Sequence, residues 1–193
     1  MAVQSSFKNM TVCLFAICLV CSALLAGVYA LTKEPIDAAA KAKNEAAIKD
    51  VLPETASAIE EERTVEMDGV TYTYNLAYDA SGNTVGCAIN VSTLGFGGPI
   101  AIKVGFDMNG VICNTKVLSQ AETPGLGAKC VEPAFSGQFK GFDPAEKKLS
   151  VKKDGGDVDA ITASTITSRA YADGLATAVK VFRTIGQTPM PLN

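Results

Sequence analysis

The sequence predicts an α+β domain hung from a single N-terminal transmembrane helix. Three observations carry this. An uncharged apolar run opens the chain, alternating hydrophobicity with turn punctuation fills its middle, and an amphipathic helical stripe closes it.

The apolar run is MTVCLFAICLVCSALLAGVYAL, Met10–Leu31. At 1.5 Å per residue it spans about 33 Å, enough to cross a hydrocarbon core. It also explains a mean hydropathy of +0.21. Lys8 and the α-amino group precede it, while Lys33 and Glu34 cancel on the other flank. That bias puts residues 1–9 in the cytoplasm, 10–31 in the membrane and the rest outside. A cleaved signal peptide is the competing reading, with Val28-Tyr29-Ala30 as its processing site. The single lysine before the run, and the run's length, favour a retained anchor.

Residues 32–63 read as a helical connector. Pro35 suits a helix start, Ile36, Ala39, Ala40, Ala47, Ile48, Val51 and Leu52 give an apolar face, and Pro53 ends it. Residues 64–193 form the main domain. From Thr64 to about Ser119 the period is two, with hairpin signals at Asp68-Gly69, Asp79–Asn83 and Asn109-Gly110. YNLAYDASGNTVGCAINVS and IKVGFDMNGVICNTKVLS each read as strand, Asp-led turn, strand. They predict a duplicated hairpin in one antiparallel sheet. Tyr171, Leu175, Ala178, Val179, Phe182 and Ile185 then define a helix over Ala170–Gly186, with Gly186, Pro189 and Pro191 as stop signals.

Composition narrows the function. A net charge of −3 argues against a nucleic-acid partner. Histidine is absent, which removes the usual base of a serine hydrolase. A Ser-Lys dyad with Lys152 or Lys153 has no support in the spacing. Cys13, Cys18 and Cys21 fall in the apolar run, and Cys87, Cys113 and Cys130 are scattered, so neither a zinc nor a haem site is indicated.

Three segments carry more than fold. In LGFGGPIAIKVGF, Gly95, Gly97, Gly98 and Pro99 interrupt a strand pattern, as at a bulge or a close backbone approach. In QAETPGLGAK, Thr123-Pro124-Gly125-Leu126 has the order of a type II turn, followed by Gly127. That loop either presents N–H groups to a planar ligand or is a rigid connector. In DAITASTITSRA, Asp159–Ala170, hydroxyls crowd before the last helix, whose start is expected near Ser168. Thr167 or Ser168 is the expected cap, and the helix N-terminus also suits a phosphate. Arg169 could add charge-assisted hydrogen bonds, and Asp159 could bind a metal or polarise a group.

Asp159-Ala160-Ile161-Thr162-Ala163-Ser164-Thr165 resembles the flavinylation motif Asp-x-x-(Ser/Thr)-Gly-Ala-(Thr/Ser). GFGGPI, ETPGLG and this motif, in that order behind one transmembrane helix, make essentially the whole chain resemble the RnfG family. RnfG is the FMN-binding subunit of the Rnf ion-translocating electron transport complex, related to the C subunit of the sodium-pumping NADH:quinone reductase. The resemblance implies FMN on Thr165 through a phosphoester, installed outside the cytoplasm by a flavin transferase. It implies Thr162, Ser164 and Ser168 near the phosphate. Glu122, Thr123, Gly125, Leu126, Gly127, Gly97 and Gly98 would then approach the rings, with Glu122 or backbone N–H groups tuning the flavin's potential.

The implied role is an electron relay, with no catalytic residue or metal of its own. Its complex would couple electron flow between ferredoxin and NAD⁺ to Na⁺ or H⁺ transport. Its partners would be the other Rnf subunits and, through one helix, membrane lipid. No GxGxxG fingerprint suggests NAD binding by this chain itself. Ala163 stands where the motif has glycine and Ser164 where it has alanine. The first departure matters if that position needs positive φ. The compact length favours RnfG over the quinone reductase subunit. A tethered binding module without redox role is the remaining alternative.

Overall fold

In the computed structural model, which describes residues 7–187, the apolar run and the connector form one helix, α1 (Phe7–Val51). The α-amino group, Pro189 and Pro191 lie outside the described residues. Pro35 sits inside α1 rather than at a start. It cannot donate to the Leu31 carbonyl, so the helix loses one backbone hydrogen bond there and runs on to Val51. One turn earlier, the Thr32 hydroxyl donates to Val28 O at 2.8 Å.

The chain divides into a first unit ending at Lys43 and a second beginning at Asn44. In the first unit the large apolar side chains are bare, Phe15 at 69% and Leu25 at 72% exposure. Among the described residues α1 alone is long and apolar enough to cross a membrane.

The second unit is built on an antiparallel sheet of β1 (Ala58–Ile59), β2 (Arg63–Met67), β3 (Val70–Tyr78), β4 (Thr84–Leu94), β5 (Pro99–Asp107) and β6 (Ile112–Ser119). The order is β1-β3-β4-β5-β6, with β2 also pairing with β3. At the β2–β3 hairpin Asp68 (φ 55°) and Gly69 (φ 75°) both take positive φ, as a type I′ turn demands. The duplication expected from sequence extends to the hydrogen bonds. Asp79 Oδ1 accepts from the N–H groups of Ser81 and Asn83, and Asp107 Oδ1 from those of Asn109 and Val111. The Asn83 bond is the main reason the Asp79 carboxyl stays below its ordinary pKa.

One face of the sheet packs against α3 (Thr165–Gln187), whose predicted stripe is buried at Tyr171, Leu175, Ala178, Val179 and Ile185. Ile100, Ile102, Val104 and Phe106 of β5 join that core. A short helix α2 (Pro133–Ser136) and flanking 3₁₀ turns bring Phe135 and Phe139 onto Tyr171, with ring centroids 5.2 and 5.1 Å from it. The Tyr171 hydroxyl donates to Thr115 Oγ1 at 2.9 Å.

The other face receives the last turns of α1. Ile48, Val51 and Leu52 are buried there with Ala77 and Ala88. A Cβ on Gly105 would stand 1.8 Å from the Val51 carbonyl oxygen, so this strand needs glycine at the crossing. The sheet and its cover thus begin upstream of residue 64. Lys103, two residues before Gly105 and on the same side of β5, is fully buried, and its Nζ has no hydrogen-bond partner. Burial pushes its pKa down to about 8.

Candidate functional site

The hydroxyl-rich segment folds into a turn that runs straight into α3. Ser164 N donates to Ile161 O at 3.0 Å, and Ala163, third in that turn, has φ 61°. An L-residue there costs roughly 1–2 kcal/mol, so the departure from glycine is a real strain. Ser168 clamps the turn. Its buried hydroxyl accepts from Ile161 N at 2.9 Å and donates to Ser164 O at 2.9 Å. The helix therefore starts at Thr165, three residues before the expected position, with Ser164 at its cap. Thr167 and Ser168 are not caps. They lie buried in the first turn, because the upstream turn occupies the capping position. The N–H groups of Thr165, Ile166 and Thr167 precede Ser168 N, the first intrahelical donor, and so are not used by the helix itself.

Glu122 ties this turn to two loops. The Thr167 hydroxyl donates to its Oε2 at 2.5 Å, and Gly97 N donates to its Oε1 at 2.9 Å. The surrounding glycines follow from this carboxylate. A Cβ on Gly95 would fall 2.3 Å from Oε1, and one on Gly127 2.3 Å from Oε2. On Gly97 it would meet the Ala121 carbonyl at 2.2 Å. The close approach expected of these glycines is thus, first of all, to the chain's own loop. Leu126 N donates to Thr123 O at 3.1 Å and Gly125 has φ 77°, which is the type II turn read from the sequence.

Between these parts lies a cleft of about 380 Å³, within the range of small-molecule and cofactor sites. Its wall brings together Glu122, Thr123, Leu126, Gly127, Ser164 and Thr165 of the expected set. Ala163 and Thr167 line it too. Phe96 and Ile166 complete it, 70% and 52% exposed. Sequence reading missed both. The available signals were an aromatic set between glycines and an isoleucine off the buried stripe of α3. Gly97, Gly98 and Gly125 shape the loops without lining the cleft. Ser168 lies buried behind the turn, and Thr162 opens onto a second cleft with Asp159, Gln138 and Lys129. Asp159 pairs with Lys152 Nζ at 2.8 Å. Arg169 grips Asp154 through two bonds of 2.6 and 2.8 Å, and holds that carboxyl below its usual pKa.

This geometry suits a ligand with a flat apolar part and an anionic end. Phe96, Leu126 and Ile166 offer the apolar surface. The first turn of α3 offers N–H groups and the positive end of its dipole. Thr165 stands half-exposed where the two meet.

The fold is that of an FMN-binding domain: residues 95–180 match the family model of that description, and residues 1–51 match the RnfG N-terminal region. In fold the chain is similar to the C subunit of the Na⁺-translocating NADH-quinone reductase from Parabacteroides distasonis. The TM-score is 0.52 at 23% identity, over 68% of this chain and 80% of that one. It is 33% identical to the G subunit of the ion-translocating oxidoreductase complex of Methanosarcina acetivorans, over 93% of this chain and 96% of that protein. To the corresponding G subunit of Haemophilus influenzae it is 34% identical over 81% of each. A third relative, from Acetobacterium woodii, is the G subunit of the Na⁺-translocating ferredoxin:NAD⁺ oxidoreductase complex, 33% identical over 56% of this chain and 54% of that one. The chain belongs to the family of the G subunits of the ion-translocating oxidoreductase complexes.

Proposed function

We propose that this chain relays electrons through FMN joined to Thr165 by a phosphoester, as the G subunit of a ferredoxin:NAD⁺-type ion-translocating complex in the membrane. One observation carries the site. Of the five hydroxyl residues from Thr162 to Ser168, Thr165 alone combines the cleft wall, partial exposure and the first position of α3. Thr162 faces elsewhere, Ser164 is buried, Thr167 is bound to Glu122, and Ser168 holds the turn.

Bound FMN supplies a group that takes up and passes on electrons without leaving the protein. The chain's own residues do the rest. The N–H groups of Thr165, Ile166 and Thr167 would hold the phosphate, while Phe96, Leu126 and Ile166 would cover ring surface and exclude water. Residues 10–31 would anchor the chain, with residues 1–9 in the cytoplasm, 32–63 as connector and the FMN domain outside. A separate flavin transferase would make the bond there, and other subunits would supply the ion pathway.

The test uses membranes carrying the assembled complex. Thr165→Ala is expected to abolish ferredoxin-dependent NAD⁺ reduction, with the variant chain still present at wild-type level. Unchanged reduction by that variant would remove the relay from this chain.

A further inference from the structure

The three segments singled out in the sequence meet at one side chain. Glu122 belongs to the ETPGLG loop, Gly97 to the GFGGP loop and Thr167 to the first turn of α3. They lie 25 and 45 residues from Glu122 along the chain. Both carboxylate oxygens are committed, one to each segment, and the side chain is 6% exposed. The Glu122 main-chain N–H is held as well, by Gln120 Oε1 at 2.6 Å. The carboxylate packs directly against Gly95 and Gly127, where an added Cβ would fall 2.3 Å from one of its oxygens. A buried bridge with both ends hydrogen-bonded transmits position.

We propose that Glu122 is a positioning residue. Through Gly97 it sets the loop that carries Phe96, and through Thr167 it sets the turn that carries Thr165. It thereby fixes where an apolar ring can lie relative to the attachment hydroxyl. Its bearing on flavin rests on the proposed attachment at Thr165. The coupling of the two segments does not.

The experiment therefore begins on the unflavinylated full chain in detergent, by hydrogen–deuterium exchange resolved to single amides. Gly97 N–H reports the loop, and Ser168 N–H, bonded to Ser164 O at 3.1 Å, reports the turn. Glu122→Ala is expected to accelerate both together, on the order of tenfold or more. Glu122→Gln keeps the bridge, its oxygen accepting from Gly97 and its amide donating to Thr167, and is expected to restore most of the protection. Thr167→Val cuts one link with little change of volume. It carries the test if the alanine variant does not fold, and should also accelerate Gly97. Acceleration at Gly97 with Ser168 unchanged, or a glutamine variant as open as alanine, would overturn the proposal.

The second readout uses flavin-loaded protein. Ring accessibility, measured by iodide quenching of flavin fluorescence, should rise severalfold in Glu122→Ala and stay near wild type in Glu122→Gln. Equal quenching in all three would overturn the flavin-positioning claim. Absence of covalent flavin from the wild type itself would overturn the Thr165 reading instead, and the exchange result would still decide the coupling.

Discussion

Glu122 and Lys103 are both ionisable, both buried, and treated in opposite ways. Each oxygen of Glu122 accepts a hydrogen bond from a fixed donor, whereas Lys103 Nζ has none. The carboxylate sits among three loop and helix segments that must be held in register. The ammonium sits on the far face of the sheet, near the crossing of α1. A satisfied buried polar group specifies one geometry, while an orphaned one only costs stability. On the cleft side the domain uses its polarity to fix shape; on the α1 side it carries an ammonium with no hydrogen bond, only partly offset by the Glu62 charge.

The largest expected effect breaks the satisfied side. Gly127→Ala puts a methyl on the Glu122 carboxylate, and should destabilise the domain by about 2–3 kcal/mol in denaturant titration. A neutral outcome would mean that Glu122 has somewhere else to go.

Next, Lys103→Met removes the orphan, and should raise stability by on the order of 1–2 kcal/mol at neutral pH. The pH dependence sharpens this test. Folded Lys103 gives up its proton at about 8, whereas an ordinary lysine holds it to 10.5. Across that window unfolding takes up a proton, so the stability owed to this residue rises with pH. The advantage of the methionine variant should therefore shrink between about pH 8 and 10. An advantage that is constant across that range contradicts a buried Lys103 that is charged without a hydrogen bond.

The smallest expected effect is at Ala163. Its φ of 61° favours glycine, so Ala163→Gly should stabilise the domain by about 1 kcal/mol. It should also speed flavin attachment, by making the turn before Thr165 easier to reach. A loss of stability would show that the alanine methyl does more in the cleft wall than it costs in strain.

The sheet and α3 were legible because their periods are local. Alternation between Thr64 and Ser119, the Asp-Gly turn and the stripe from Tyr171 to Ile185 need only near neighbours. The candidate attachment residue, Thr165, was marked by its motif, and the strain at Ala163 was visible as a condition on φ. What local reading could not supply was anything set at a distance. The start of α3 moved because the Ser168 hydroxyl reaches back seven residues to Ile161. Pro35 signalled a helix start by local rule, yet the helix passes through it. The two bonds of Glu122 join residues that only the folded sheet brings together, so sequence could name Glu122 as a candidate but not say what it holds.

The role of the cleft depends on flavin at Thr165. The direct measurement is in-gel flavin fluorescence after denaturation, on wild type and Thr165→Ala, each produced with a flavin transferase shown to be active on a control. The account predicts a fluorescent band in wild type that is absent from the alanine variant. A band of equal strength in both, or none in wild type, contradicts it.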